Sequence, residues 1–213
     1  MSKIAVVDYG MGNLHSVKRA LEHVCDAKDE VYFARQAQDL ERADKVVFPG
    51  QGAMGDCMKN LENSGLMEAV QKVALSKPLL GICVGQQMML EHSEEGNTPC
   101  LGWFAGNVKK FSGPAFEGKN RLKVPHMGWN KVTQKPHPLW AGIDDGAFFY
   151  FVHSYFVHTD TSRSPDVVFG QTEYGLLFDS VIAKDNIFAV QFHPEKSANN
   201  GLVLLKNFVN WQI

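Results

Sequence analysis

The sequence predicts an α/β protein: an open, mostly parallel sheet flanked by helices, with a β-rich second half. Two observations predict it. From Met1 to Leu90, short apolar runs alternate with segments of helical periodicity, the pattern of a parallel sheet built with right-handed crossovers. Beyond that point, apolar runs separated by turns follow one another until a final helical stretch. No stretch has the composition of a linker or a repeat, so a single domain over 1–213 is expected.

In chain order, Ile4–Val7 reads as a strand and Asp8–Asn13 as a turn with two glycines. Leu14, Val17, Leu21 and Val24 then recur at helical spacing. Val31–Phe33 is a second strand, Gln36–Arg42 a short helix, and Lys45–Phe48 a third strand ending at Pro49-Gly50-Gln51-Gly52. Asp56–Ser76 reads as helix broken near Gly65. The run Pro78–Ile82 is too short for a helix and has the continuous apolar character of a buried parallel strand. A helix from Val84 to Glu91 follows it. In the second half, Asn107–Phe111, Trp129–Val132, Phe148–Phe156, Val167–Gln171, Ser180–Ala183 and Ile187–Gln191 read as strands. The final helix spans Ala198–Trp211, with Leu202, Leu205, Phe208 and Val209 as its buried stripe.

A net charge of −2 and a pI near 6.4 give no footprint for nucleic acid or an anionic membrane. Met1–Asp8 lacks a signal-peptide layout, and no apolar run approaches the ~20 residues that span a bilayer. Cys25, Cys57, Cys83 and Cys100 lie far apart without a C-x-x-C pair, so reduced thiols in the cytoplasm are expected. No histidine pair has H-x-x-x-H spacing, so neither a metal nor another cofactor is expected.

Between the strand at Pro78–Ile82 and its helix stands Gly81-Ile82-Cys83-Val84-Gly85, a nucleophile elbow with cysteine in the serine position. Glycines at both positions let the chain reverse against its neighbours, and the turn presents the sulfur at the sheet's carboxyl edge. A helix N-terminus beneath it favours the thiolate. A buried structural cysteine would fit the same five residues. A nucleophilic cysteine needs a base, and only one of the eight histidines, His193, ends an apolar strand with an acid two residues on. Pro194 biases His193 to an extended conformation, which would place Glu195 on the same face. A surface turn is the alternative for an isolated H-P-E. Oxyanion donors are expected from the Val84 N–H and from the Gly50-Gln51-Gly52 turn.

Taken together, Gly81-x-Cys83-x-Gly85-x-Gln87, Pro49-Gly50-x-Gly52 and His193-Pro194-Glu195 resemble the class I, triad-type glutamine amidotransferases. Asp8-Tyr9-Gly10-Met11-Gly12-Asn13-Leu14, Pro125-His126-Met127-Gly128-Trp129-Asn130 and Phe151-Val152-His153-Ser154-Tyr155-Phe156 narrow the resemblance to the glutaminase subunits of imidazole glycerol phosphate synthases. The resemblance implies a flavodoxin-like open sheet. It also implies that Cys83 attacks the glutamine amide, His193 protonates the departing ammonia and Glu195 orients His193. Gln87 and Glu95 would hold the substrate, with main-chain groups of His153, Ser154 and Tyr155 gripping its α-amino and carboxylate groups. The family usually has an apolar residue, often valine, where Gln51 stands.

The resemblance further implies an allosterically activated heterodimer, a lyase as a whole, serving histidine biosynthesis. Ammonia would pass to a separate (β/α)8-barrel cyclase, since 213 residues cannot hold a barrel of ~250 as well. Asn13, Met127, Gly128, Trp129, Asn130 and Lys196 match positions that face this partner. Ordinary turn and core packing is the alternative at each of them. Two other readings are a paralogous amidotransferase that feeds a sugar-aminating synthase and a non-catalytic module of the same fold. The presence of Cys83, His193 and Glu195 speaks against the latter.

Overall fold

The computed structural model describes residues 1–213. Its first half runs β1 (Lys3–Val7), α1 (Leu14–Val24), β2 (Glu30–Ala34), α2 (Ala37–Glu41), β3 (Lys45–Gly50), α3 (Met54–Asn63), α4 (Met67–Ala74), β4 (Leu79–Cys83) and α5 (Val84–Gln87). The second half continues with β5 (His92–Ser93), β6 (Thr98–Pro99), β7 (Gly106–Lys110), β8 (His126–Lys131), β9 (Thr133–Gln134) and β10 (Phe148–His153). It closes with β11 (Tyr155–Thr159), β12 (Val168–Glu173), β13 (Leu177–Lys184), β14 (Ile187–Val190) and α6 (Ala198–Asn210).

The main sheet has the order β2-β1-β3-β4-β14-β13-β12-β9. Its strands from β2 to β14 are parallel, and β13, β12 and β9 join antiparallel. Every residue of β3, β4 and β14 is buried, which is why Val46–Phe48, Leu79–Ile82 and Ile187–Val190 read as unbroken apolar runs. Two smaller sheets, β10-β8 and β11-β7-β5-β6, wall off the carboxyl edge of the main one. The predicted break near Gly65 separates α3 from α4, and Gly65 takes φ +72°, a conformation glycine adopts without strain.

Four local expectations need correction. The elbow helix stops at Gln87 instead of reaching Glu91. The carbonyls of Met88, Met89 and Leu90 accept from Leu101, Trp103 and Gly102, so the returning chain captures groups that a longer helix would use. Phe148–Phe156 is not one strand but two, broken at Ser154. β10 pairs with β8 while β11 pairs with β7, and the Ser154 carbonyl accepts from Phe111 N–H at 3.2 Å. In α6, Leu204 is fully buried where Leu202 was expected, and Leu202 is half-buried beside it. Glu195, fourth, meets His193 through a tight turn at Pro194–Lys196 and not along an extended chain.

Candidate active site

β4 delivers Cys83 to the carboxyl edge of the sheet at φ 55°, ψ −114°, a strained conformation for a residue with a side chain. The neighbouring glycines explain how it is tolerated. A Cβ at Gly85 would lie 2.0 Å from the Phe48 carbonyl oxygen, and one at Gly81 2.6 Å from Met89 Cε. Strand β3 therefore approaches the elbow backbone to backbone, and Gly50 pairs in register with Cys83. That approach sets the Gly50-Gln51-Gly52 turn beside the sulfur.

His193 follows β14, the neighbour of β4, and is extended at φ −102°, ψ 98°. Glu195 reaches it differently from the expected alternation along an extended chain. Pro194–Lys196 forms one tight helical turn, which folds the carboxylate back so that His193 Nδ1 meets Glu195 Oε1 at 2.8 Å. The turn is clamped from behind, where Ser197 Oγ donates to the His193 carbonyl at 2.6 Å. Burial opposes a charge on His193, but its hydrogen-bonded neighbour Cys83 and the Glu195 carboxylate outweigh burial and raise the imidazole to about 10. At neutral pH His193 is thus held as an imidazolium beside Cys83.

A cavity of about 280 Å³ opens over this pair. It is lined by Gln51, Gly52, Cys83, Val84, Gln87, Glu95, Pro125, Val152, His153, Ser154, Tyr155, His193 and Lys196. Its size sits near the lower end of ligand pockets, ~300–1,000 Å³, and suits a molecule as small as an amino acid. Of the positions expected around the substrate, only Gly50 and Glu195 stand behind the wall, against Cys83 and His193 respectively. Lys196, expected to face a partner, lies in the cavity lining. Glu95 accepts from Met54 N–H at the start of α3 through Oε2 at 2.9 Å.

Gln87 is buried, not the exposed helix glutamine that its position allowed. Its Nε2 donates to the Tyr155 carbonyl and to Gln191 Oε1, both at 2.9 Å. The Tyr155 carbonyl also accepts from His153 Nδ1 at 2.8 Å, so both its lone pairs are occupied from within. His153 Nε2 in turn meets His126 Nδ1 at 2.9 Å, and His126 Nε2 meets the Asn130 amide at 3.3 Å. Burial lowers His126 to about 4 and His153 to about 3, which keeps both rings neutral. Sequence reasoning missed Gln191 and His126 as parts of this network. For Gln191 a signal existed: it is a polar residue at the end of an apolar run, two positions before His193.

Comparison with known proteins fits this geometry. The family model described as glutamine amidotransferase class-I matches residues 5–211. The chain belongs to the class-I glutamine amidotransferases. Within that family, the imidazole glycerol phosphate synthase subunit HisH of Dechloromonas aromatica (strain RCB) is 59% identical over 98% of this chain and 96% of its own length. The protein of the same name from Thiobacillus denitrificans is 56% identical over 98% of this chain and 91% of its own length. Among solved structures, PurLQS from Thermotoga maritima superposes with a TM-score of 0.71 at 16% identity, covering 99% of both chains. That likeness speaks for the fold alone.

As a class-I amidotransferase, the chain depends on α6 to hold the His193–Glu195 turn in place. A Cβ at Gly201 would lie 1.9 Å from the Pro194 carbonyl oxygen, backbone that cannot yield like a side chain. Gly201→Ala is therefore expected to lower stability by ~1–3 kcal/mol, a typical overpacking cost. Displacing the turn by a fraction of an ångström should also cut glutaminase turnover ~10-fold or more. Thermal unfolding and steady-state turnover on the same sample check both effects.

Proposed function

We propose that this chain is the glutaminase subunit of an imidazole glycerol phosphate synthase, formed as one amidotransferase domain over residues 1–213. In this reading it hydrolyses glutamine and passes ammonia to a separate (β/α)8-barrel cyclase in histidine biosynthesis. The observation that carries the reading is the strained Cys83 beside an imidazolium at the floor of an amino-acid-sized cavity. Near-complete coverage at high identity with subunits of that synthase supports the pathway. Four free thiols suit a reducing compartment such as the cytoplasm, and no helix is long and apolar enough to cross a membrane.

In the proposed mechanism, the Cys83 thiolate adds to the amide carbon of glutamine, and its electron pair forms the C–S bond. The oxyanion is met by the Val84 N–H and by an N–H of the Gly50-Gln51-Gly52 turn. His193, held by Glu195 through Nδ1, gives its proton to the amide nitrogen, the C–N bond breaks and ammonia leaves. Water then attacks the thioester as His193 takes a proton from it. Glutamate departs, and the thiolate–imidazolium pair is restored. Glu95 and the Gln87 side-chain oxygen take the α-ammonium group, while Ser154 meets the α-carboxylate. The Tyr155 carbonyl takes no part in holding substrate, since both lone pairs are filled internally.

The barrel docks on β8 and β10. Met127 and Trp129 are 62% and 51% exposed, and they alternate outward on the strand that carries Gly128 and Asn130. Tyr150 packs edge-on against Trp129, and Phe148 extends the exposed apolar stripe. Exposed aromatics and methionine on one face are the composition of an interface centre. Val152 and Pro125 carry this surface to the cavity rim, where Lys196 also stands. Asn13 belongs to the β1–α1 turn, which lies on the oxyanion segment: a Cβ at Gly52 would sit 2.8 Å from Met11 Cε. Pressure on that turn reaches Gln51 directly.

Gly50-Gln51-Gly52 is in this reading the gate of the enzyme. Tyr9 hydroxyl donates to the Pro49 carbonyl at 3.0 Å and Cys57 Sγ to the Gln51 carbonyl at 3.5 Å, so both flanks of the turn are tied down in the free chain. Docking of the cyclase with its nucleotide ligand would favour the peptide that aims an N–H at the oxyanion. Losing one such donor costs ~10²–10³-fold, which sets the expected activation. The test measures glutamine hydrolysis by the chain alone, with the cyclase, and with cyclase plus ligand. Equal turnover in all three would remove the gate, and no turnover in any would remove the glutaminase reading.

A further inference from the structure

We propose that the side-chain amide of Gln191 is a further working group of this site, one that donates a hydrogen bond to the Cys83 sulfur and holds it for attack. The inference rests on Cys83 being the nucleophile. Gln191 is fully buried, and its Nε2 lies 3.7 Å from Cys83 Sγ.

The hydrogen-bond chain dictates which end of the amide faces the sulfur. The Tyr155 carbonyl can only accept, so the Gln87 atom 2.9 Å from it is the NH₂ group. That same NH₂ lies 2.9 Å from Gln191, which must therefore present its oxygen. The remaining end of the Gln191 amide, the NH₂ group, is left facing Sγ. An assignment turned the other way at Gln191 would set two donors against each other and a carbonyl oxygen against a thiolate.

The far side of the network removes any slack. Since His153 Nδ1 must donate to the Tyr155 carbonyl, its Nε2 accepts from His126 Nδ1, and His126 Nε2 accepts from the Asn130 amide. A second proton of that amide goes to the Glu173 carbonyl at 2.9 Å. Every bond runs in one direction, from Asn130 on the β8 strand to the Tyr155 carbonyl. The pinned carbonyl fixes Gln87, Gln87 fixes Gln191, and Gln191 meets the sulfur from the side of β14. A charge-assisted donor of this kind localises the thiolate lone pairs and lets the imidazolium be spent on the leaving group.

Two substitutions separate this role from simple packing. Gln191→Met keeps an unbranched side chain of similar length and removes the donor. Gln191→Glu keeps the oxygen that Gln87 needs and sets a second oxygen against Sγ. Alkylation of Cys83 by iodoacetamide across pH reads the thiolate directly. The titratable groups around the sulfur are His193, Tyr9 from the β1–α1 turn and Cys57 from α3, with Glu95, His153, Tyr155 and Lys196 across the cavity; all are unaltered in both variants, while Gln191→Glu adds a carboxyl of its own. Loss of a hydrogen bond to a charged group should move the alkylation midpoint up by ~1 pH unit in Gln191→Met, and by at least as much in Gln191→Glu, where a like charge is added beside the sulfur. With the cyclase present, Gln191→Glu should lower kcat ~10-fold or more while the KM for glutamine changes less than twofold. In the unsubstituted protein, blocking Cys83 should shift the Gln191 side-chain amide resonances, a readout that requires no variant to fold.

Unchanged alkylation profiles, or amide resonances that ignore the modification, would overturn the role of Gln191. Alkylation of the unsubstituted protein at another cysteine, with Cys83 untouched, would instead bring down the nucleophile assignment beneath it.

Discussion

Cys83→Ala is expected to abolish glutamine hydrolysis and to leave the partner's use of added ammonia intact. Alanine shares the backbone of cysteine up to Cβ, so it meets the same φ of 55° without a new steric demand. The glycines that make room for the elbow are untouched. What disappears is the sulfur and the covalent intermediate with it. Removing the nucleophile of a working unit typically costs ~10⁶-fold, which for a glutaminase is no measurable turnover. Added ammonia bypasses the thioester, so synthesis from it by the complex should persist at the rate of the unsubstituted enzyme. A glutamine-mimicking electrophile should label Cys83 in the parent protein and nothing in the variant. Labelling at Cys25, Cys57 or Cys100 would move the nucleophile elsewhere; burial pushes each of those thiols up to about 11.

The same substitution changes how the protein responds to pH. In the parent, His193 is raised to about 10, against the pull of burial, by Cys83 and Glu195. A histidine raised above its unfolded value of ~6.5 contributes stability fully below that pH and loses it as pH climbs through the folded value. The parent should thus lose stability between about 6.5 and about 10. Without the thiolate, burial acts against Glu195 alone, and the imidazole midpoint should fall. Titration of the His193 ring resonances in both proteins measures the difference, and identical curves would mean that the thiolate does not hold the proton there.

The order of strands and helices was legible because the buried strands β3, β4 and β14 carry no polar residue facing solvent. The elbow was legible only in company: a buried structural cysteine fits Gly81–Gly85 equally well, and it was His193-Pro194-Glu195 and the Gly50–Gly52 turn that spoke for a nucleophile. Features set by long-range capture were not legible. Nothing near Met88 announces that Leu101–Trp103 will take its helical carbonyls, and nothing near Ser154 announces that Phe111 will hold its carbonyl where the strand divides. The approach of Glu195 to His193 depends on a turn anchored by Ser197, in which local alternation gives the right partner for the wrong geometric reason. Gln191 and His193 both reach Cys83 from just past the end of β14. Polar residues at the end of an apolar strand are read most safely in pairs, before any role is assigned to one of them.

His193→Asn is expected to reduce glutaminase turnover by ~10²–10⁴-fold, the usual share of a general acid–base group. Asparagine retains a polar side chain able to meet Glu195, so the cavity should survive while proton transfer fails. The loss should fall on kcat more than on KM, because the residues proposed to hold glutamine, Gln87 and Glu95, sit on other elements. No neighbouring ring is placed to substitute. His153 lines the same cavity, but its Nδ1 is committed to the Tyr155 carbonyl and its Nε2 to His126. Burial also lowers it to about 3, far from the range in which a base works at neutral pH. Glu195→Gln should be milder than Cys83→Ala, since it weakens the anchoring of Nδ1 and leaves the imidazole in place. Steady-state kinetics of His193→Asn with the cyclase and its ligand bound decides the matter. Turnover within tenfold of the parent enzyme would mean that the proton reaches the departing nitrogen by another route, and the assignment of His193 would be lost.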